Sequence, residues 1–175
     1  MKVIIGKYPG SKSNKERKVD VRIDTWDTWN ADETLALIIA PLLKQLREIN
    51  HGTPFTDEED APEEFKGEDE DHSEDEYRPA GYNQARWEWI LDEMIWAFTQ
   101  KIDNSEEDVF YHNRDQLNMK FEKIKGTTYS KLKIDYQKDP EKAPYNIDHE
   151  GLTTYRERID NGFRLFGKYY NSLWD

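Results

Sequence analysis

The chain has 175 residues, with six Trp, ten Tyr, seven Phe and no Cys, and a formal net charge of −12. That length suits one domain burying roughly 70% of its unfolded surface, and the missing cysteines exclude disulfides, thiolate zinc sites and a cysteine nucleophile. The longest strongly apolar run, Leu35 to Leu43 around Pro41, is half of what a bilayer span needs, and Met1 to Gly6 lacks the pattern of a signal peptide, so a protein without a membrane helix that stays where it is made is expected.

Val3, Ile4 and Ile5 read as a short strand, and Val19, Val21 and Ile23 alternate with Asp20, Arg22 and Asp24 as a half-buried strand does, so the two predict a hairpin. Its connection carries Lys7, Lys12, Lys15, Arg17 and Lys18, a pattern typical of a solvated loop. Asn30 or Asp32 caps a predicted helix whose apolar positions Leu35, Ile38, Ile39, Leu42, Leu43 and Leu46 recur at three and four residues and end near Gly52, with a kink expected at Pro41.

Periodicity then disappears. Residues 57–76 hold thirteen Asp and Glu against the single Lys66, which accounts for the whole net charge, and the other 155 residues balance. The chemistry therefore predicts a neutral, aromatic-rich body with a long, mobile acidic loop over 53–82 inside a single domain of 1–175. A second helix follows from about Asn83 to Ile102, with Trp87, Ile90, Leu91, Met94, Ile95 and Phe98 on a broad apolar face. Met119 to Ile124 and Tyr129 to Tyr136 flank Gly126-Thr127 as a second hairpin, and a final helix from about Asp148 to Leu173 places Leu152, Tyr155, Ile159, Phe163, Phe166, Tyr170 and Leu173 on one stripe. The expected fold class is α+β, with three main helices packed together and against a small, mainly antiparallel sheet made of two hairpins.

No phosphate loop, dinucleotide fingerprint or nucleophile elbow occurs, and the four histidines lack metal-ligand spacing, so neither a catalytic residue nor a metal or other cofactor is assigned. The carboxylate pairs Asp24 with Asp27 and Asp92 with Glu93 are weak acid–base candidates. Gly162 and Gly167 each weaken the last helix by roughly 1 kcal/mol relative to Ala, which predicts a tight packing contact at both. A more specific feature is cationic and aromatic. Arg164 and Lys168 follow at four-residue spacing beside Tyr169, and Arg86, Trp89 and Trp96 form a mixed row on the second helix. A guanidinium holds a phosphate while a ring stacks on a base, so these six residues are the candidate ligand site, with ion pairing over the core as the competing explanation.

The segments DTWDTWNADETLA (Asp24 to Ala36), HGTPFTDEEDAP (His51 to Pro62), RWEWILDEMIWAF (Arg86 to Phe98) and RIDNGFRLFGKYYNSLWD (Arg158 to Asp175) together resemble a group of tailed-bacteriophage orphan proteins. The resemblance implies a phage protein acting in the host bacterial cytoplasm, either a virion component or an antagonist of host defence, and carries over no catalytic residues. With the ring and cation rows, the first expectation is a homo-oligomeric binding protein that sequesters a small nucleotide signal without enzymatic chemistry or direct nucleic-acid binding. The alternatives are an acidic DNA mimic or protein inhibitor docking its acidic segment on a host defence protein, and a virion structural protein.

Overall fold

A computed structural model describes residues 1–10, 15–67, 81–103 and 105–174. The fold is α+β. Strands β1 (Lys2–Ile5) and β2 (Val19–Arg22) precede helix α1 (Ala31–Ile49), and α2 (Tyr82–Ile102) follows the acidic region. Then come β3 (Tyr111–His112), β4 (Asn118–Lys123), β5 (Ser130–Asp135), β6 (Asn146–Ile147) and α3 (His149–Lys168). Lys12 of the basic connection, and residues 68–80 of the expected acidic loop, lie outside the described residues.

Helix α2 is the centre of the core, with α1 on one side and α3 on the other. Its Trp87, Ile90, Leu91 and Met94 are fully buried together with Leu43 and Leu165. Side chains of this kind contribute roughly 1.5 to 3 kcal/mol each on leaving water. Helix α1 presents Ala36, Ala40 and Leu43 to this seam and continues through Pro41, which stands on its exposed side. At the rim Arg47 pairs with Glu88 at 3.0 Å and Asp92 at 3.2 Å, and at the other end Lys101 pairs with Asp32 at 3.1 Å, so α1 and α2 run antiparallel. Asp92 is thus an ion-pair partner rather than half of an acid–base pair. Helix α3 starts at Asp148, whose side chain accepts from the Gly151 amide at 3.0 Å, and supplies Leu152, Tyr155, Leu165 and, just past its end, Tyr169 to the core. Phe98 meets Phe163 and Phe166 edge-on, with centroids 5.0 and 4.9 Å apart.

The expected hairpins form with the expected alternation, Val3 opposite Val21 and Phe121 opposite Leu132, but as separate two-stranded sheets beside a third short pair, β3–β6. Gly126, at φ 83°, supplies the left-handed turn residue between β4 and β5. Neither long hairpin buries its apolar face: Met119, Phe121, Leu132 and Ile134 are 39–75% exposed, and Ile5, Val19 and Val21 are equally open. Between β2 and α1 a 3-10 turn, Thr25–Thr28, stacks Trp26 on Trp29 at 5.8 Å, because residues three apart eclipse in this helix type. Asp24 and Asp27 close that turn as a reciprocal capping box, which assigns both carboxylates a structural role. No described helix is long and apolar enough to cross a membrane.

Gly162 and Gly167 of α3 part company. A methyl at Gly162 would overlap the Ala97 methyl and lie 2.9 Å from the Glu93 carbonyl oxygen, whereas nothing lies within 4 Å of one at Gly167. Gly162 is therefore the expected close approach and Gly167 is not, because it faces outward. Gly162→Ala is expected to lower stability by about 1–3 kcal/mol through overpacking. Gly167→Ala, by contrast, is expected to raise it by up to about 1 kcal/mol. Urea unfolding of the two variants checks both signs.

Candidate functional site

Residues 53–67 are not the open loop that composition predicts. They form a strap across the end of the α2–α3 seam, with 3-10 turns at Glu58–Asp60 and Glu63–Phe65. Its anchor is Asp60, 6% exposed. The Asp60 carboxylate accepts from the Tyr169 hydroxyl at 2.6 Å, pairs with Arg164 at 2.8 Å and takes a short contact from the Lys168 ammonium. Lys168 also pairs with Asp57 at 2.5 Å, and the Asp57 amide donates to the Tyr169 oxygen at 3.0 Å. Burial alone would raise the Asp60 carboxyl, but the hydrogen bonds from Lys168, Tyr169 and Arg164 outweigh it and hold the group below the ordinary aspartate range. Asp57 first and Asp60 second push the Lys168 ammonium upward, and burial followed by the Asp60 hydrogen bond does the same to the Tyr169 phenol.

Arg86 fastens the rest of the strap. Its guanidinium, buried on α2, donates to Thr56 Oγ1 at 3.2 Å and to the carbonyl oxygens of Phe65 at 3.1 Å and Gly67 at 2.9 Å, with Glu58 at 3.7 Å. Asn83 completes this end, accepting from Thr56 Oγ1 at 2.9 Å and donating to the Pro54 carbonyl at 3.0 Å. A buried guanidinium requires such saturation, since an unpaired one costs several kcal/mol.

The six candidate ligand residues consequently do not form one pocket. Arg164, Lys168 and Tyr169 converge on Asp60, and Arg86 binds the strap backbone. Trp89 is half-buried against the core. Trp96 stands ten residues along α2 from Arg86, about 15 Å at 1.5 Å per residue. The ion-pairing explanation holds for all three cations. The partner of Arg164 and Lys168 was hidden from periodicity because Asp60 is more than a hundred residues away in a segment with no repeat.

Trp96 belongs instead to an open cleft of about 570 Å³ at the other end of the seam, walled by Trp96, Phe110, Tyr155 and Arg158 and rimmed by Glu106, Asp148 and Glu150. Tyr155 forms the back, with the Trp96 ring edge-on at 5.6 Å and Phe110 tilted at 5.5 Å. The Tyr155 hydroxyl points away into the core, donating to the buried Gln100 at 2.9 Å. Arg158 lies over Trp96 with its guanidinium carbon 3.9 Å from the ring centroid, and it grips the buried Glu93 through two bonds of 2.9 and 2.6 Å. That pairing raises the guanidinium against the opposing effect of burial. Burial, then the negative fields of Glu106, Glu107 and Asp103, raise the Tyr155 phenol. Sequence reasoning missed Arg158, Tyr155 and Phe110 as one site. The only signal was the three-residue spacing of Glu93 and Trp96, which places an acceptor and a ring on one face of α2.

Among the described residues no group of three or more His, Cys, Asp or Glu side chains is placed to hold a metal ion. No protein-family model matches the chain, and no curated protein or solved structure matches it either.

Asp60 makes acid sensitivity predictable. A carboxyl depressed in the folded state contributes stability that is complete above its unfolded pKa, about 3.9. That contribution disappears as pH falls through the lower folded value. Asp60→Asn is therefore expected to flatten the loss of stability below about pH 4, while Asp60→Ala costs about 1–3 kcal/mol at neutral pH by leaving the buried Tyr169 hydroxyl and the half-exposed Arg164 without their acceptor. Urea denaturation from neutral to acid pH separates the two effects.

Proposed function

We propose that the chain is a phage-encoded binding protein without enzymatic chemistry, which presents unpaired carboxylates to a basic surface of a bacterial partner protein. One observation carries this reading: the three cations of the candidate ligand site, Arg86, Arg164 and Lys168, are already engaged within the chain, while a net charge of −12 remains. A phosphate ligand would have to displace Asp60 from Arg164 and Lys168 and enter against the surplus negative field. A basic surface gains from the same field, which raises its encounter rate and fixes its orientation. The resemblance to tailed-phage proteins supplies the setting, in which the partner is a host defence factor. Self-association, which the sequence also suggests, would draw on the uncovered apolar faces of β1–β2 and β4–β5.

The test is a direct competition of ligand classes. A labelled arginine-rich peptide is expected to bind in fluorescence anisotropy and to weaken steeply as salt rises toward roughly 0.5 M. Cyclic dinucleotides and ADP-ribose are expected to leave the melting temperature unchanged. Stabilisation by any nucleotide would overturn the proposal in favour of nucleotide sequestration with release of the strap, since a ligand at about 100 times its Kd adds roughly 2.7 kcal/mol.

A further inference from the structure

The cleft at the Trp96 end of the α2–α3 seam combines two properties. Its walls are the rings of Trp96, Phe110 and Tyr155, and its rim carries three carboxylates. Among the described residues Glu106 and Glu150 have no ion-pair partner, and Asp148 caps α3 with one oxygen through the Gly151 amide. The one cation in the lining, Arg158, is neutralised by Glu93. The cleft is thus apolar inside and negative at its mouth. A ring face attracts a cation through its quadrupole, an effect of roughly 0.5–1 kcal/mol when exposed and about 2 when desolvated. Arg158 already demonstrates this on the Trp96 ring, from one side of the cleft.

The geometry of the mouth is built rather than accidental. Gly151 permits it, because a methyl there would overlap Asp148 and come within 2.7 Å of the Phe110 ring. The 3-10 turn that carries Glu106 is tied to α3 by the Arg156–Glu107 pair at 2.8 Å, and the Tyr111 hydroxyl donates to the same Glu107 at 2.7 Å. The rings and the carboxylates therefore sit on one preorganised frame.

From the three rings, the unpaired carboxylates and the neutralised Arg158, we infer that this cleft receives the guanidinium or ammonium end of a basic side chain projecting from the partner protein. The inference rests on the proposed docking to a basic surface and gives it a location. The cleft admits one long side chain at a time: its apolar stem lies along Phe110 and Tyr155 while its charged head meets Glu106 and Glu150. A phosphate is refused by the same three carboxylates.

The double variant Glu106→Gln/Glu150→Gln removes the charge while keeping shape, and among the described residues neither side chain has a hydrogen bond or ion pair. With the labelled arginine-rich peptide, it is expected to weaken binding at least tenfold with an unchanged melting temperature. Glu48→Gln/Glu141→Gln removes equal charge at exposed positions away from the cleft and is expected to weaken binding less than threefold. Equal losses in both double variants would overturn the cleft assignment while leaving docking to a basic surface intact. Failure of the wild-type chain to bind the peptide would overturn that docking itself. Spermidine forms the final arm: binding as tight as that of the peptide would show that a free polyamine, rather than a protein side chain, occupies the cleft.

Discussion

The carboxylate of Asp60 fixes how the acidic region sits on the body. Three groups from the end of α3 and just beyond it, Arg164, Lys168 and Tyr169, close on its two oxygens, which with Tyr169 are nearly shut off from water while the two cations keep an exposed side. Such a cluster is not a net source of stability in proportion to its contacts, because desolvating the charges offsets much of their attraction. Its effect is on uniqueness: with Asp60 elsewhere, Arg164 would lose its counter-charge and the buried Tyr169 hydroxyl its acceptor. The strap has one low-energy seat, and Arg86 then collects the carbonyl oxygens that the strap brings with it.

Helix α2 transmits a second constraint. Ala97 and the backbone at Glu93 admit α3 only because residue 162 has no side chain. At that separation Arg158 reaches Glu93 with two of its nitrogens, and the same pairing lays its guanidinium on Trp96. Deeper in the seam the Tyr155 hydroxyl finds Gln100, which turns the phenol ring edge-on to Trp96. One absent methyl thus sets the spacing from which the aromatic wall of the cleft follows.

The helices were legible because each presents a 3.6-residue apolar stripe to one neighbour, and the hairpins because Val3 to Ile5 with Val19 to Ile23, and Met119 to Tyr136, alternate around turn residues. Alternation specifies a face without specifying what covers it, which is why the open faces of both hairpins were not foreseen. The strap was misread for a related reason. Composition treats Asp57 to Gly67 as a run of repelling charges, yet Asp57 and Asp60 meet cations more than a hundred residues away, and no local pattern encodes that meeting. Gly162 was recoverable because a glycine inside a strong helix has a cost that packing must offset. Gly167 carries the same local signal and no contact, so the signal marks candidates and the tertiary structure selects among them.

The two ends of the α2–α3 seam carry opposite charge logic on the same antiparallel pair of helices. At the strap end, carboxylates from a distant segment neutralise Arg164 and Lys168 of α3. At the cleft end, the local cation is neutralised from within by Glu93, and among the described residues the carboxylates of the rim have no ion-pair partner. Recognition requires a group whose charge is unmet in the free protein and whose surroundings are already ordered, because ordering it on binding would subtract from affinity. The strap end meets the second condition and fails the first. The cleft meets both, and its sign selects a cation, which sets the candidate interface at Trp96, Phe110 and Tyr155 rather than at the arginine and lysine row that the sequence made most conspicuous.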